Sequence, residues 1–333
     1  IESTDNPEEN FQKIVECFND QKIFEDPHIF KEVITLILCI SNNHHRTSTF
    51  FDKIIRLLYS FKDEIQKNFS NFEIFTIFRK NYRILLFMLK EEILKPDVSI
   101  FSSLTYKTYK KAYYPNYFSP EFKSFFENKE KVRQGMNRKI GLPPIKEKVE
   151  NSENSENFEK KRQIAENDEH ICQIIRKDDI EKFISYISKV NFSLSSTVGS
   201  SIFETNAFLI NKNPSLIEYA AFSGSLKIYN YLIENGIEMT PSLWLYVIHG
   251  QNMELIHILE KNKITPEDET YQNCLLESIK CHHNEMTKYI IKNLMNNKIF
   301  NNKGVVAQSI RYNNYEYFPN EMTYDFNTFY DMC

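Results

Sequence analysis

The chain has 333 residues, of which 41% are hydrophobic and 14% aromatic, too apolar a mixture for a mostly disordered polymer. A net charge of −4 excludes a generally basic nucleic-acid binder. Only 7 glycines occur, about 2% against a usual ~7%, which argues against turn-rich sheets; no two have the spacing of a glycine-rich phosphate loop.

From residue 8 to about 105 the apolar spacing is helical. Phe11, Ile14, Val15 and Phe18 follow the i, i+3, i+4, i+7 pattern, and Phe30, Val33, Ile34 and Ile37 repeat it after Pro27. Phe51, Ile54, Ile55 and Leu58 form a third stripe after Thr47 or Ser48 as N-cap. Leu85, Leu86, Leu89 and Ile93 form another, stopped before Pro96. The pattern predicts four to six antiparallel helices with short connections, an N-terminal helical domain over 1–130.

Residues 105–139 carry nine Lys/Arg against three Asp/Glu, a local excess of +6. Within them Lys107, Tyr109, Lys110, Lys111 and Tyr113 interleave cations with rings, a combination that can pair with phosphates and stack on bases. The plainer reading is a last helix with packed rings and solvated lysines. The following stretch turns acidic and contains a Glu-Asn-Ser triplet repeat with nothing apolar to bury, so 131–160 reads as a charged linker, flexible over about 141–158.

Helical stripes return at about 161 and continue to 333, now with internal similarity. Pro214 to Ala221 is echoed by Pro241 to Ile248, and Leu226 to Asn235 by Met253 to Asn262. A looser third copy runs from Cys274 to Ile279 and from Asn284 to Ile291; a degenerate earlier one spans Ile171 to Ile187, with Ile174, Ile175, Ile180, Phe183 and Ile184 as its apolar positions. Offsets of 27 and 31 with two short helices per unit predict a stacked array of helix pairs. The expected fold is therefore all-α: a helical-pair solenoid preceded by an N-terminal helical array. Leu216, Leu232, Leu243, Leu259 and Ile290 should supply its shared core, with Trp244 in the core as well.

At these residues the chain resembles ankyrin-repeat proteins. Ser215 to Ala221 loosely matches the family's opening motif, Gly224 its inter-helix glycine, and Leu232 and Gly236 its second-helix leucine and closing glycine. Glu218 in place of the capping histidine, Val247-Ile248 in place of Ala-Ala, and Lys263 in place of a closing glycine depart from it. More narrowly, 160–333 resembles divergent ankyrin proteins of parasitic protists, of the trichomonad type, which carry an associated domain of unknown function. The resemblance implies protein–protein interaction and brings no catalytic residue with it. Phe329 to Cys333 reads as the start of a further unit, a sign of a longer repeat protein.

The expected function is a non-enzymatic interaction module or scaffold binding a protein on the concave face of its repeats. Tyr219 and Tyr246, at matching positions of the first helices, should face that surface, with His249 and Lys280 as further contacts; the alternative places both tyrosines in the seam between repeats. The competing function is nucleic-acid association through 106–114, against which the net acidity argues. No cofactor is expected. Cys274, Cys281, His282 and His283 lack zinc-site spacing and read as core thiols and turn histidines. Scattered cysteines and the lack of a long apolar run point to a cytoplasmic protein without a membrane span.

Overall fold

A computed structural model describes residues 7–20, 22–43, 48–105, 116–127, 152–210, 212–295 and 302–317. The basic–aromatic stretch with Lys107, Tyr109, Lys110, Lys111 and Tyr113, and the C-terminal Phe329 to Cys333, lie outside them. Among the described residues every regular element is helical, and one isolated antiparallel bridge joins Thr197 to Ser215. No described helix is long and apolar enough to cross a membrane. The chain divides into two units, one comprising 1–38, 47–168 and 201–206, the other 39–46, 169–200 and 207–333.

The helices associated with the first unit are α1 (Pro7–Asp20), α2 (Pro27–Asn43), α3 (Ser48–Ser60), α4 (Lys62–Asn68), α5 (Asn71–Phe78), α6 (Tyr82–Lys90), α7 (Val98–Thr105), α8 (Ser119–Glu127) and α9 (Ser152–Ile164). They are shorter and more numerous than the stripes predict, because local caps divide them. Ser70 closes a capping box with Glu73 at the start of α5, and Asn81 accepts the Ile84 amide at the start of α6. Phe24, Phe30, Phe61 and Phe69 form an aromatic core, with ring centroids 5.0–6.1 Å apart.

The expected linker over 131–160 gives way to structure at Ser152, where α9 begins. Two side chains anchor this helix. Phe158 meets Phe203 edge-on at 5.2 Å. Arg162, fully buried, makes a two-pronged ion pair with Glu121 of α8 at 2.7 and 3.1 Å. From Ser152 on, the polar repeat thus belongs to a helix whose later turns pack a ring and bury a guanidinium paired with Glu121 and Glu159.

The second unit is built from α10 (His170–Arg176), α11 (Ile180–Val190), α12 (Leu216–Ser223), α13 (Leu226–Glu234), α14 (Leu243–Gly250), α15 (Met253–Lys261), α16 (Gln272–Lys280), α17 (Asn284–Tyr289, running into a π-turn) and α18 (Asn302–Arg311). The even-numbered helices pack on one another in chain order, and α11 packs on α13. Leu216, Leu232, Leu243, Leu259 and Ile290 are all fully buried in the resulting core, as is Trp244, whose indole N–H donates to the Ile264 carbonyl at 2.8 Å. Ile184, expected in that core, is exposed on α11.

Each even-numbered helix is followed, one or two residues past its last, by a residue with left-handed backbone: Asp178, Gly224, Gln251, His282 and Asn313, with φ between 48° and 69°. This conformation turns the chain directly into the next segment. The residue after it repeats a second device. Ser225, Asn252, His283 and Asn314 donate side-chain hydrogen bonds to the carbonyls of Ile175, Gly224, Ile248 and Ile279, at 2.6, 3.1, 2.8 and 2.9 Å. Carbonyls at a helix C-terminus lack intrahelical partners, and here the following pair supplies them. The spacing of the left-handed residues is 46, 27, 31 and 31. Only glycine adopts that backbone without steric cost, so Gln251→Gly is expected to stabilise the chain by about 0.5–1 kcal/mol, read as a higher urea midpoint with unchanged m-value.

Candidate functional site

The long first spacing, 46 residues, reflects an added segment between α11 and α12. Thr197 and Ser215 bridge near its ends, and Phe208 and Lys212 lie within it. Phe208 stacks parallel to Phe222 at 5.9 Å, meets Tyr246 edge-on at 5.0 Å and lies 4.1 Å from the His249 ring. The Lys212 ammonium sits 3.3 Å over the Phe208 ring and 5.1 Å from that of Tyr246.

This segment explains a correction. Tyr219 is 1% and Tyr246 5% exposed, so neither stands on an open surface as an anchor. The Tyr219 hydroxyl accepts a hydrogen bond from Arg176 of the preceding pair at 2.6 Å, while Phe208 and Lys212 cover Tyr246. Both rings lie in seams between elements. His249 is also buried, and Lys280 is half-buried and engaged.

The last two residues belong to a polar cluster between α14 and α16. His249 Nε2 lies 2.8 Å from Glu277 Oε1, which also accepts from Lys280 Nζ at 2.8 Å. Cys281 Sγ lies 3.7 Å from His249 Nδ1 and 3.9 Å from its Nε2. Burial lowers the imidazole pKa against the pull of Glu277, which keeps the ring neutral at pH 7. Neutral His249 then donates Nε2–H to Glu277. Burial raises the Glu277 carboxyl, but the His249 hydrogen bond and Lys280 outweigh it and hold the group below the usual carboxylate range. Burial pushes the Cys281 thiol well up, so it is protonated.

His249, Glu277 and Cys281 thus bring three groups that could hold a metal ion within 4.8 Å of one another. Cys274, on the same helix as Glu277, is buried elsewhere in the apolar core. His283 is occupied by the Ile248 carbonyl, and His282 Nε2 lies 2.8 Å from the Tyr312 carbonyl. Cysteine and histidine spacing along the chain did not point to the cluster, because its histidine comes from the preceding pair. The repeat alignment did carry a signal: Glu277 occupies the position held by Tyr219 and Tyr246 in earlier copies, a carboxylate where the other copies place a buried ring.

No protein-family model matches the chain, and no curated protein or solved structure matches it significantly.

Proposed function

We propose that the second unit is an ankyrin-like stack of helix pairs, and that the protein serves in the cytoplasm as a non-enzymatic binding module or scaffold for another protein. The observation that carries this reading is the recurrence of two backbone devices, the left-handed helix ending and the side chain that caps the previous pair, at repeat-equivalent positions. Such stacks bury one continuous strip and leave their connections and flanks free for recognition.

With Tyr219 and Tyr246 enclosed, recognition falls to the connections between pairs. Glu238, Thr240 and Pro241 are exposed in one, and Thr265, Glu267 and Glu269 in the next. Three exposed carboxylates in two equivalent connections favour a partner with a basic segment. The test is affinity capture from native cell extract with the full chain and with the triple variant Glu238→Gln, Glu267→Gln, Glu269→Gln. Partners captured by the parent should be lost with the variant and released by raised salt. Surface changes of this kind cost within ~0.5 kcal/mol each, so the melting temperature should barely move. Identical capture by both proteins would remove the connections from the interface.

A further inference from the structure

We propose that His249, Glu277 and Cys281 form a binding site for a borderline divalent transition metal, with zinc the best match to one imidazole, one carboxylate and one thiolate. Glu277 and Cys281 are four residues apart at the end of α16 and share one side of it, while His249 reaches across from the last turn of α14. Bonds of ~2.0 Å to nitrogen and oxygen and ~2.3 Å to sulfur put tetrahedral ligand atoms roughly 3.2–3.7 Å apart. With Nε2 as the ligating nitrogen, its 3.9 Å to sulfur closes slightly and its 2.8 Å to Glu277 Oε1 opens slightly as the cation enters.

The repeat itself supplies an internal comparison. The residues equivalent to His249, Glu277 and Cys281 are Phe222, Tyr246 and Gly250 at the preceding junction, and Arg176, Tyr219 and Ser223 at the one before. Neither set could hold a metal. All three positions change to ligand-bearing side chains at a single junction, where packing alone was satisfied by rings and a glycine.

The charges balance. Without metal, Lys280 neutralises Glu277 while the thiol and imidazole are neutral. On binding, His249 gives up its Nε2 proton and takes one up at Nδ1, the Cys281 S–H bond breaks with its proton passing to buffer, and nitrogen–metal and sulfur–metal bonds form. Carboxylate and thiolate together cancel the dication. Lys280, whose side chain is 22% exposed, is then free to turn into water. The Phe208 and Phe222 rings pack against the imidazole, at 4.1 and 5.4 Å, which limits competition by bulk water. Three protein ligands leave a fourth position for water or an outside donor.

The probe is cobalt(II), added to the reduced, chelator-stripped full-length chain. The expected result is one equivalent bound, with a thiolate-to-cobalt charge-transfer band and strong tetrahedral d–d absorption, both abolished by zinc. Cys281→Ser should lose the charge-transfer band, and Cys274→Ser should keep it. Glu277→Gln retains the thiol and should weaken cobalt binding at least ~10-fold, with loss of the zinc-induced rise in melting temperature seen in the parent. Lack of a charge-transfer band in the parent, or its survival in Cys281→Ser, overturns the site. Should Cys281→Ser fail to fold, the comparison of the parent with Glu277→Gln decides: equal cobalt affinity in the two overturns it.

Discussion

Gly250→Ala should destabilise the second unit by about 3 kcal/mol, although it adds a single methyl group to a helix. A Cβ at position 250 would meet the Ala221 carbonyl oxygen at 2.2 Å and the Gly224 nitrogen at 3.1 Å. Both are backbone atoms of α12 or its cap, so no side chain can rotate aside. On the other side of the same contact, a Cβ at Gly224 would stand 2.9 Å from the Gly250 oxygen, at a φ of +69°. Overfilling a packed site usually costs ~1–3 kcal/mol because neighbours shift; two helix backbones shift less readily than side chains, which places this clash just above that range, at roughly 4 kcal/mol. The higher helix propensity of alanine, worth ~1 kcal/mol, offsets only part of the clash. Trp244 is the chain's sole tryptophan and lies buried on α14 itself, so its fluorescence reports directly on this unit in urea. A fall of roughly 6–12 °C in melting temperature corresponds to that loss for a unit of this size. A variant as stable as the parent would mean that α12 and α14 do not cross so closely.

That crossing illustrates what the sequence made legible. Leu216, Leu243 and Leu259 stood out because burial imposes a period on apolar residues, and helical character throughout followed from the same period. Gly224 was visible as a repeat glycine. Gly250 was not, because its equivalents are Ser223 and Cys281 and its need for no side chain arises from how near one neighbouring helix lies. Periodicity records which side of a helix is covered, but not by what. That is why Tyr219 and Tyr246 could be assigned to first helices yet not to an open or a closed surface: the cover of Tyr246, Phe208 and Lys212, comes from an irregular segment with no period of its own, and the partner of Tyr219, Arg176, comes from the preceding pair. The His249–Glu277–Cys281 cluster was hidden for a related reason. Its members are distant in sequence and lie on two helices, and only the alignment of repeats makes Glu277 conspicuous.

Tyr219→Ala is expected to lose ~3–5 kcal/mol, the range for removing a buried aromatic ring, rather than to weaken partner binding at constant stability. Tyr219 is buried on α12, inside the shared core, and its hydroxyl holds the Arg176 guanidinium at 2.6 Å. Two components are separable by a graded series. Tyr219→Phe keeps the ring and removes the oxygen that accepts from a charged donor, a bond worth ~1.5–3 kcal/mol when both groups are enclosed; Arg176 is only half-buried and can turn to water, so a loss near 1 kcal/mol is expected. The further step to alanine removes the ring and should account for most of the remainder through the cavity it leaves. Urea titrations of the three proteins, followed by Trp244 fluorescence, give both steps. Destabilisation below ~1 kcal/mol for Tyr219→Ala would place the ring on an open surface after all and restore it as a candidate contact. A large loss confined to the ring would instead make Tyr219 a structural link between the first two pairs, the same slot in which the fourth pair carries Glu277.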